Sequence, residues 1–134
     1  MTRIPLILAL LATPPALYAQ DEAEALRGVI QSQMQAFEAR DISRAFSFAS
    51  PMIQRLFDAP DSFGQMVEQG YPMVWDNQDV VFLDARRMGI QVVQRIMVTD
   101  QNGISHLLDY YMVPTSQGWR INGVDLIPGN DLSA

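Results

Sequence analysis

The sequence predicts an α+β domain, with helices in the first half of the chain packed on a curved antiparallel sheet of at least four strands in the second. Three observations predict it. Between residues 21 and 40 the apolar side chains recur every three or four positions, the spacing of one buried helical face. From Ile90 to Pro128 the pattern changes to alternation, the period of a strand with one covered side. Turn-forming residues at Gly89, at Asn102 and Gly103, and at Ser116 to Gly118 divide those runs. The helices precede the strands rather than alternating with them, so the sheet is antiparallel with the helices gathered on one side. A chain of 134 residues has room for one such domain.

Residues 1–19 read as a secretory signal. Arg3 supplies a minimal positive start, residues 4–12 are apolar, and Pro14 and Pro15 break the run before a cleavage site after Ala19. The run is too short and too early interrupted to span a bilayer, which takes about 20 apolar residues. Residues 20–134 are then the mature domain, exported and periplasmic or secreted, with no insertion into the membrane once the signal is removed. The net charge is −6, every basic residue is Arg, and no clustered basic face exists to meet a phosphate backbone. Nucleic acid is not an expected partner. The chain has no cysteine and one histidine, which rules out disulfides, thiolate ligands and a multi-histidine metal site. No metal and no cofactor is expected.

Within the mature domain, Leu26, Val29, Ile30, Met34 and Phe37 form the buried stripe of a first helix over residues 21–40. Asp41 suits the N-cap of a second, bearing Ile42, Ala45, Phe46 and Ala49, which Ser50 and Pro51 terminate. Residues 52–57 read as one more turn or a short extended piece. A third helix runs from Asp61 or Ser62 to Gln69, with Gly70 as its C-terminal cap and Tyr71, Pro72 and Trp75 as a connector. Strands follow at residues 80–83, 90–99, 104–113 and 119–127, with Arg86 and Arg87 in a solvated loop and a frayed tail from Gly129.

The order of helices and sheet, closing on Gly118, Trp119, Arg120, Ile121 and then Gly123, resembles the cone-shaped superfold named after nuclear transport factor two. More closely, Ala45, Phe46, Ser47, Phe48, Ala49, Ser50 and Pro51, then Gly70, Tyr71 and Pro72, then Val92, Val93, Gln94 and Arg95, then Trp119, Arg120 and Ile121, are similar to a bacterial family catalogued as domain of unknown function 4864. That resemblance covers nearly the whole mature chain. It implies the cone fold but transfers no catalytic residue, and the superfold hosts isomerases, dehydratases, small-ligand binders and dimerisation modules alike.

Candidate residues come from sorting the strand faces. A two- or four-residue hairpin at Asn102 and Gly103 places even residues of one strand beside odd residues of the next. One face then carries Val92, Gln94, Ile96 and Val98 with Leu107, Asp109 and Tyr111, and with Trp119, Ile121, Gly123 and Asp125. Being the more apolar, it is set against the helices. Gln94, Asp109, Tyr111 and Asp125 are on this reading the ligand-binding candidates, with Asp109 beside Gly123 as a general base if its pKa is raised. The alternative is that Asp109 accepts hydrogen bonds and orders the sheet. His106, with Arg95 and Tyr110 on the other face, is the second catalytic candidate. Met97, Leu108, Met112 and Val124 on that outer face would suit a homodimer contact. The leading expectation is an exported, non-catalytic module that binds a small apolar or amphipathic ligand or a partner protein. A metal-independent isomerase or dehydratase using Asp109, and a structural homodimer, are the alternatives.

Overall fold

The computed structural model describes residues 15–128, with side chains from residue 19 onward. Residues 1–14, the greater part of the segment expected to be a signal at 1–19, and the tail expected from Gly129 lie outside the described residues. Five helices, α1 (Pro15–Glu38), α2 (Ile42–Ser47), α3 (Pro51–Phe57), α4 (Pro60–Gly70) and α5 (Pro72–Trp75), precede four strands, β1 (Asp79–Met88), β2 (Gln91–Thr99), β3 (Ser105–Thr115) and β4 (Gly118–Leu126). The strands form one antiparallel sheet in the order β1-β2-β3-β4. The helices cover one of its faces, the α+β arrangement the patterning predicts.

α1 buries Leu26, Ile30, Met34 and Phe37, the stripe read from the sequence. It stops where Arg40 takes a left-handed conformation, φ 56°, and the Asp41 amide donates back to the Ala36 carbonyl at 2.8 Å. The Arg40 guanidinium then ties this end down, donating to the Phe37 and Trp75 carbonyls, pairing with Asp76 and lying 4.3 Å over the Trp75 ring. Asp41 caps α2 by accepting from the Arg44 amide.

Ser50 and Pro51 do more than end α2. Ser50 is extended, its hydroxyl accepts from the Ile53 amide, and Pro51 occupies the first turn, where a missing N–H costs nothing. Residues 52–57 are therefore helical. Pro60 likewise starts α4 two residues earlier than Ser62, and the connector at Pro72 to Trp75 is a further helical turn.

The sheet corrects two expectations. Arg86 and Arg87 belong to β1, opposite Val93 and Val92, so the strand continues through them. The β2–β3 connection has an odd length: Thr99 pairs with Ser105, leaving residues 100–104 as the loop. The Asp100 carboxylate accepts from the Asn102 and Ile104 amides, and Gly103 sits at φ 78°. With five residues in the loop, Gln94 faces Tyr110 and Val98 faces His106, so even residues pair with even residues.

The faces follow from that register. Val92, Ile96 and Val98 of β2 share the inner face with Leu108, Tyr110 and Met112 of β3, and all are buried in the core with Ile121 of β4. Asp109 and Tyr111 lie on the other side with Arg95 and Met97. Leu108 and Met112 are thus core residues rather than members of an outer patch, and Val124 packs against the same core. Only Met97 of the four stays on the outer face assigned to a dimer contact.

β4 has its own irregularity. Tyr111 pairs with Gly123 but Met112 with Ile121, so Asn122 is the extra residue of a bulge. Here the chain from the helices zips onto the strand: Ser50 N donates to Ile121 O at 2.8 Å, Ile121 N donates to Phe48 O at 2.9 Å, and the Ser50 hydroxyl donates to Asn122 Oδ1 at 2.8 Å. Two of the segments that carry the family resemblance meet at this bridge.

Candidate functional site

Helices of unequal grip enclose space above β3 and β4. α1 and α4 press Phe37, Phe63 and Val67 into the core, whereas α3 buries no residue completely and holds Leu56 70% exposed. Phe63 is the hub of the aromatic packing, with ring centroids 6.1 Å from Phe37, 5.3 Å from Phe46 and 5.6 Å from Phe57. Between these rings and the sheet is a cavity of about 350 Å³, lined by Gln33 and Phe37 of α1, Ile53, Leu56 and Phe57 of α3, Phe63, Met66 and Val67 of α4, and Tyr71, Tyr110, Ile121 and Val124. The volume falls in the range of small-molecule sites, roughly 300–1,000 Å³. Leu56 at the wall puts its mouth beside α3.

Among the described residues five polar ones line this wall, Tyr111 and Asp125 at its edge and three more. The Tyr71 hydroxyl donates to the Val124 carbonyl at 2.8 Å; burial raises its pKa, with the Asp125 charge adding to the effect. Tyr110 is buried, and desolvation pushes its hydroxyl further up, so it stays a neutral donor at any physiological pH. Gln33 is anchored by donating to the Ala45 carbonyl at 3.1 Å. The wall can therefore hold an apolar body and offer a few fixed polar contacts.

The residues singled out from the sequence divide among three places. Gln94 is fully buried on the inner face, where Nε2 donates to the Leu83 carbonyl at 2.9 Å and the Arg95 carbonyl at 2.8 Å. It clamps the β1 bulge between Phe82 and Ala85 and does not line the cavity. Asp109 is also outside the cavity lining. Its carboxylate is held on the opposite sheet face by Arg95, with Nε at 2.9 Å and Nη2 at 3.1 Å, and Arg86 stands 3.7 Å away. The hydrogen bonds from Arg95 hold the carboxyl below its usual range, outweighing the opposing effect of burial. That corrects the picture of Asp109 as a pocket base with a raised pKa.

Tyr111 and Asp125 keep their company, since the Tyr111 hydroxyl donates to Asp125 Oδ2 at 2.7 Å and that bond raises the Tyr111 pKa. Both touch the cavity wall. His106 is apart from all of them, its Nε2 2.8 Å from Asp100 Oδ2 beside the β2–β3 loop, in a separate depression with Pro72 and Met73. The His106 hydrogen bond, with those from the loop amides, lowers the Asp100 pKa. The pair braces the loop that sets the register.

Gln33 is the residue sequence reasoning missed; that reasoning sets Tyr110 on the outer face beside His106, and Tyr71 only in the connector before the sheet. The signal for Tyr110 was present in Asp100, whose side chain can cap two amides of its own loop and so favours a five-residue connection over a four-residue one. Gln33 lies on the helical stripe one position before Met34 and is spelled like any wet-face glutamine. Among the described residues no three His, Asp or Glu side chains gather as a metal-holding group.

Fold and site together define a class: an α+β domain whose helices roof an antiparallel sheet over an apolar cavity with a few tyrosine and amide groups. The chain's family model match, over residues 19–134, carries the description domain of unknown function (DUF4864), and the chain belongs to that family. No curated protein and no solved structure gives a significant match.

Proposed function

We propose that this chain is an exported, non-catalytic module that holds a small, mainly apolar molecule in the cavity between α3, α4 and the sheet. The observation that carries the reading is the cavity itself, about 350 Å³ and walled by aromatic and aliphatic side chains where a domain of this size ordinarily closes its core. The helical roof over one face of a four-stranded antiparallel sheet supports a cone of the nuclear-transport-factor-two type. Trp119, half-buried against the core, does not fill the cavity. Asp109, ion-paired on the far face, gives no support to a pocket-base enzyme.

Export to the periplasm or beyond, from a bacterial cell, is supported by the composition of residues 1–19 and by a family match that begins at residue 19. Cleavage after Ala19 would also leave α1 opening on Gln20, Asp21 and Glu22, placing two carboxylates in its first turn where the helix dipole favours them. No helix among the described residues is long and apolar enough to cross a membrane.

Titration with the neutral fluorophore N-phenyl-1-naphthylamine tests the cavity. Saturable binding at one site is expected, and Ile53→Trp, which grows a side chain into the cavity, should abolish it while leaving the melting temperature within a few degrees of wild type. Binding that does not saturate, or that survives the filling, would remove the reading.

A further inference from the structure

The cavity wall carries two unmade hydrogen bonds and little charge, and together these narrow its occupant. Tyr110 is 1% exposed and Gln33 4%, and both line the cavity. Among the described residues the Tyr110 hydroxyl forms no hydrogen bond, and Gln33 spends one amide N–H on Ala45 while its Oε1 has no donor. Gln94 Oε1 is the one fully enclosed side-chain polar atom without a partner among those residues. The unpartnered atoms of Tyr110 and Gln33 are therefore not sealed in, and the space open to side chains so buried is the cavity. Tyr71 makes the contrast: its hydroxyl is already spent on the Val124 carbonyl.

Charge excludes most alternatives. Among the described residues no Arg or His lines the cavity, so a carboxylate or phosphate entering it would be desolvated without a counter-charge. Among the described residues Asp125 is the one charged residue at the wall, but it is exposed and already engaged by Tyr111, a poor partner for a buried ammonium. A volume near the lower end of small-molecule sites fits one ring system or one short chain.

We infer that the cavity takes a neutral, mainly apolar molecule with a single oxygen-bearing group, a hydroxyl or a carbonyl, which accepts from the Tyr110 hydroxyl and, where it has a proton to give, donates to Gln33 Oε1. The inference rests on the ligand-binding reading above and goes beyond it in naming the polar group and its two partners.

Four nearly isosteric probes separate the possibilities: ethylbenzene, 2-phenylethanol, phenylacetate and phenethylammonium, each titrated into the full mature domain with amide chemical shifts as the readout. The expected order places 2-phenylethanol about three- to tenfold tighter than ethylbenzene, the span of one neutral hydrogen bond, with both ions weaker than either. Tyr110→Phe removes a hydroxyl that has no partner among the described residues, so it should fold as wild type does and shrink the alcohol's advantage over ethylbenzene to the share owed to Gln33 Oε1. Equal binding of alcohol and hydrocarbon, tighter binding of either ion, or an alcohol preference undiminished by Tyr110→Phe overturns the inference and leaves the cavity reading standing. If none of the four binds wild type, the cavity reading falls and the inference with it.

Discussion

Ser50→Ala should destabilise this domain more than its size suggests, because one hydroxyl serves two segments 72 residues apart. As acceptor it caps α3 through the Ile53 amide at 3.3 Å, and as donor it reaches Asn122 Oδ1 at 2.8 Å in the β4 bulge. The cap bond is long, so its loss counts about 0.5–1 kcal/mol. The Ser50–Asn122 bond adds about 0.5–1.5 kcal/mol, and with Ser50 1% exposed no water replaces the hydroxyl. The sum is about 1–2.5 kcal/mol, a melting temperature lowered by about 4–12 °C in a domain of this length. Urea unfolding followed by far-ultraviolet circular dichroism measures it. A double-mutant cycle with Asn122→Ala should return about 1 kcal/mol of coupling, since the two side chains share that bond. A loss under about 0.5 kcal/mol, or additivity of the two changes, would refute the view that this bridge anchors the helices to the sheet.

Asp109→Asn should cost about 1–3 kcal/mol by weakening the Arg95 fork, a loss read from the same unfolding curves. The native carboxyl is held below its unfolded value near 4, so its contribution is complete above that value and fades as pH falls through the native pKa; the gap between wild type and Asp109→Asn should close on acidification from pH 6 to pH 2, and a constant gap would contradict the pairing. Gly64→Ala would gain about 1 kcal/mol of helix propensity in α4, but its Cβ would lie 2.9 Å from Ile42 Cγ2, a branch atom that cannot swing away alone. Overpacking should win by about 1–2 kcal/mol, and Ile42→Ala in the same chain should recover part of it; a stabilised Gly64→Ala would show that α2 moves freely against α4.

The elements that the sequence disclosed are those whose signal is local and repeated. The α1 stripe and the three turn-bounded runs are read from spacing alone, and each is found within a few residues of its expected bounds. α3 reads from the sequence as either a turn or an extended piece because Ser50 and Pro51 signal both an ending and a beginning, and a helix with no fully buried residue writes no periodic stripe. Arg86 and Arg87 were misread because an edge strand can carry charge on exposed positions without leaving the sheet. The cavity was legible least of all: its wall is assembled from α1, α3, α4, β3 and β4, segments distant in sequence that no local pattern brings together.

One residue of loop length decided which side chains stood as candidates. Counting the β2–β3 connection as even turns Asp109 inward and Tyr110 outward, and the real five-residue loop reverses both. The reversal also accounts for the polar residues that looked anomalous among aliphatics. On the outer face Arg86 of β1, Arg95 of β2 and Asp109 of β3 form one ion-paired seam, and Tyr111 of β3 bonds to Asp125 of β4 beside it. Arg95 directly opposite Asp109 is a favourable pair, whereas Asp109 opposite Asp125 sets two carboxylates together, a repulsion that the two arginines offset and the hydrogen bond from Tyr111 to Asp125 eases. The seam ties all four strands together from the side the helices do not cover. The space beneath α3, on the other face, is lined by Tyr110, Gln33 and the aromatic rings.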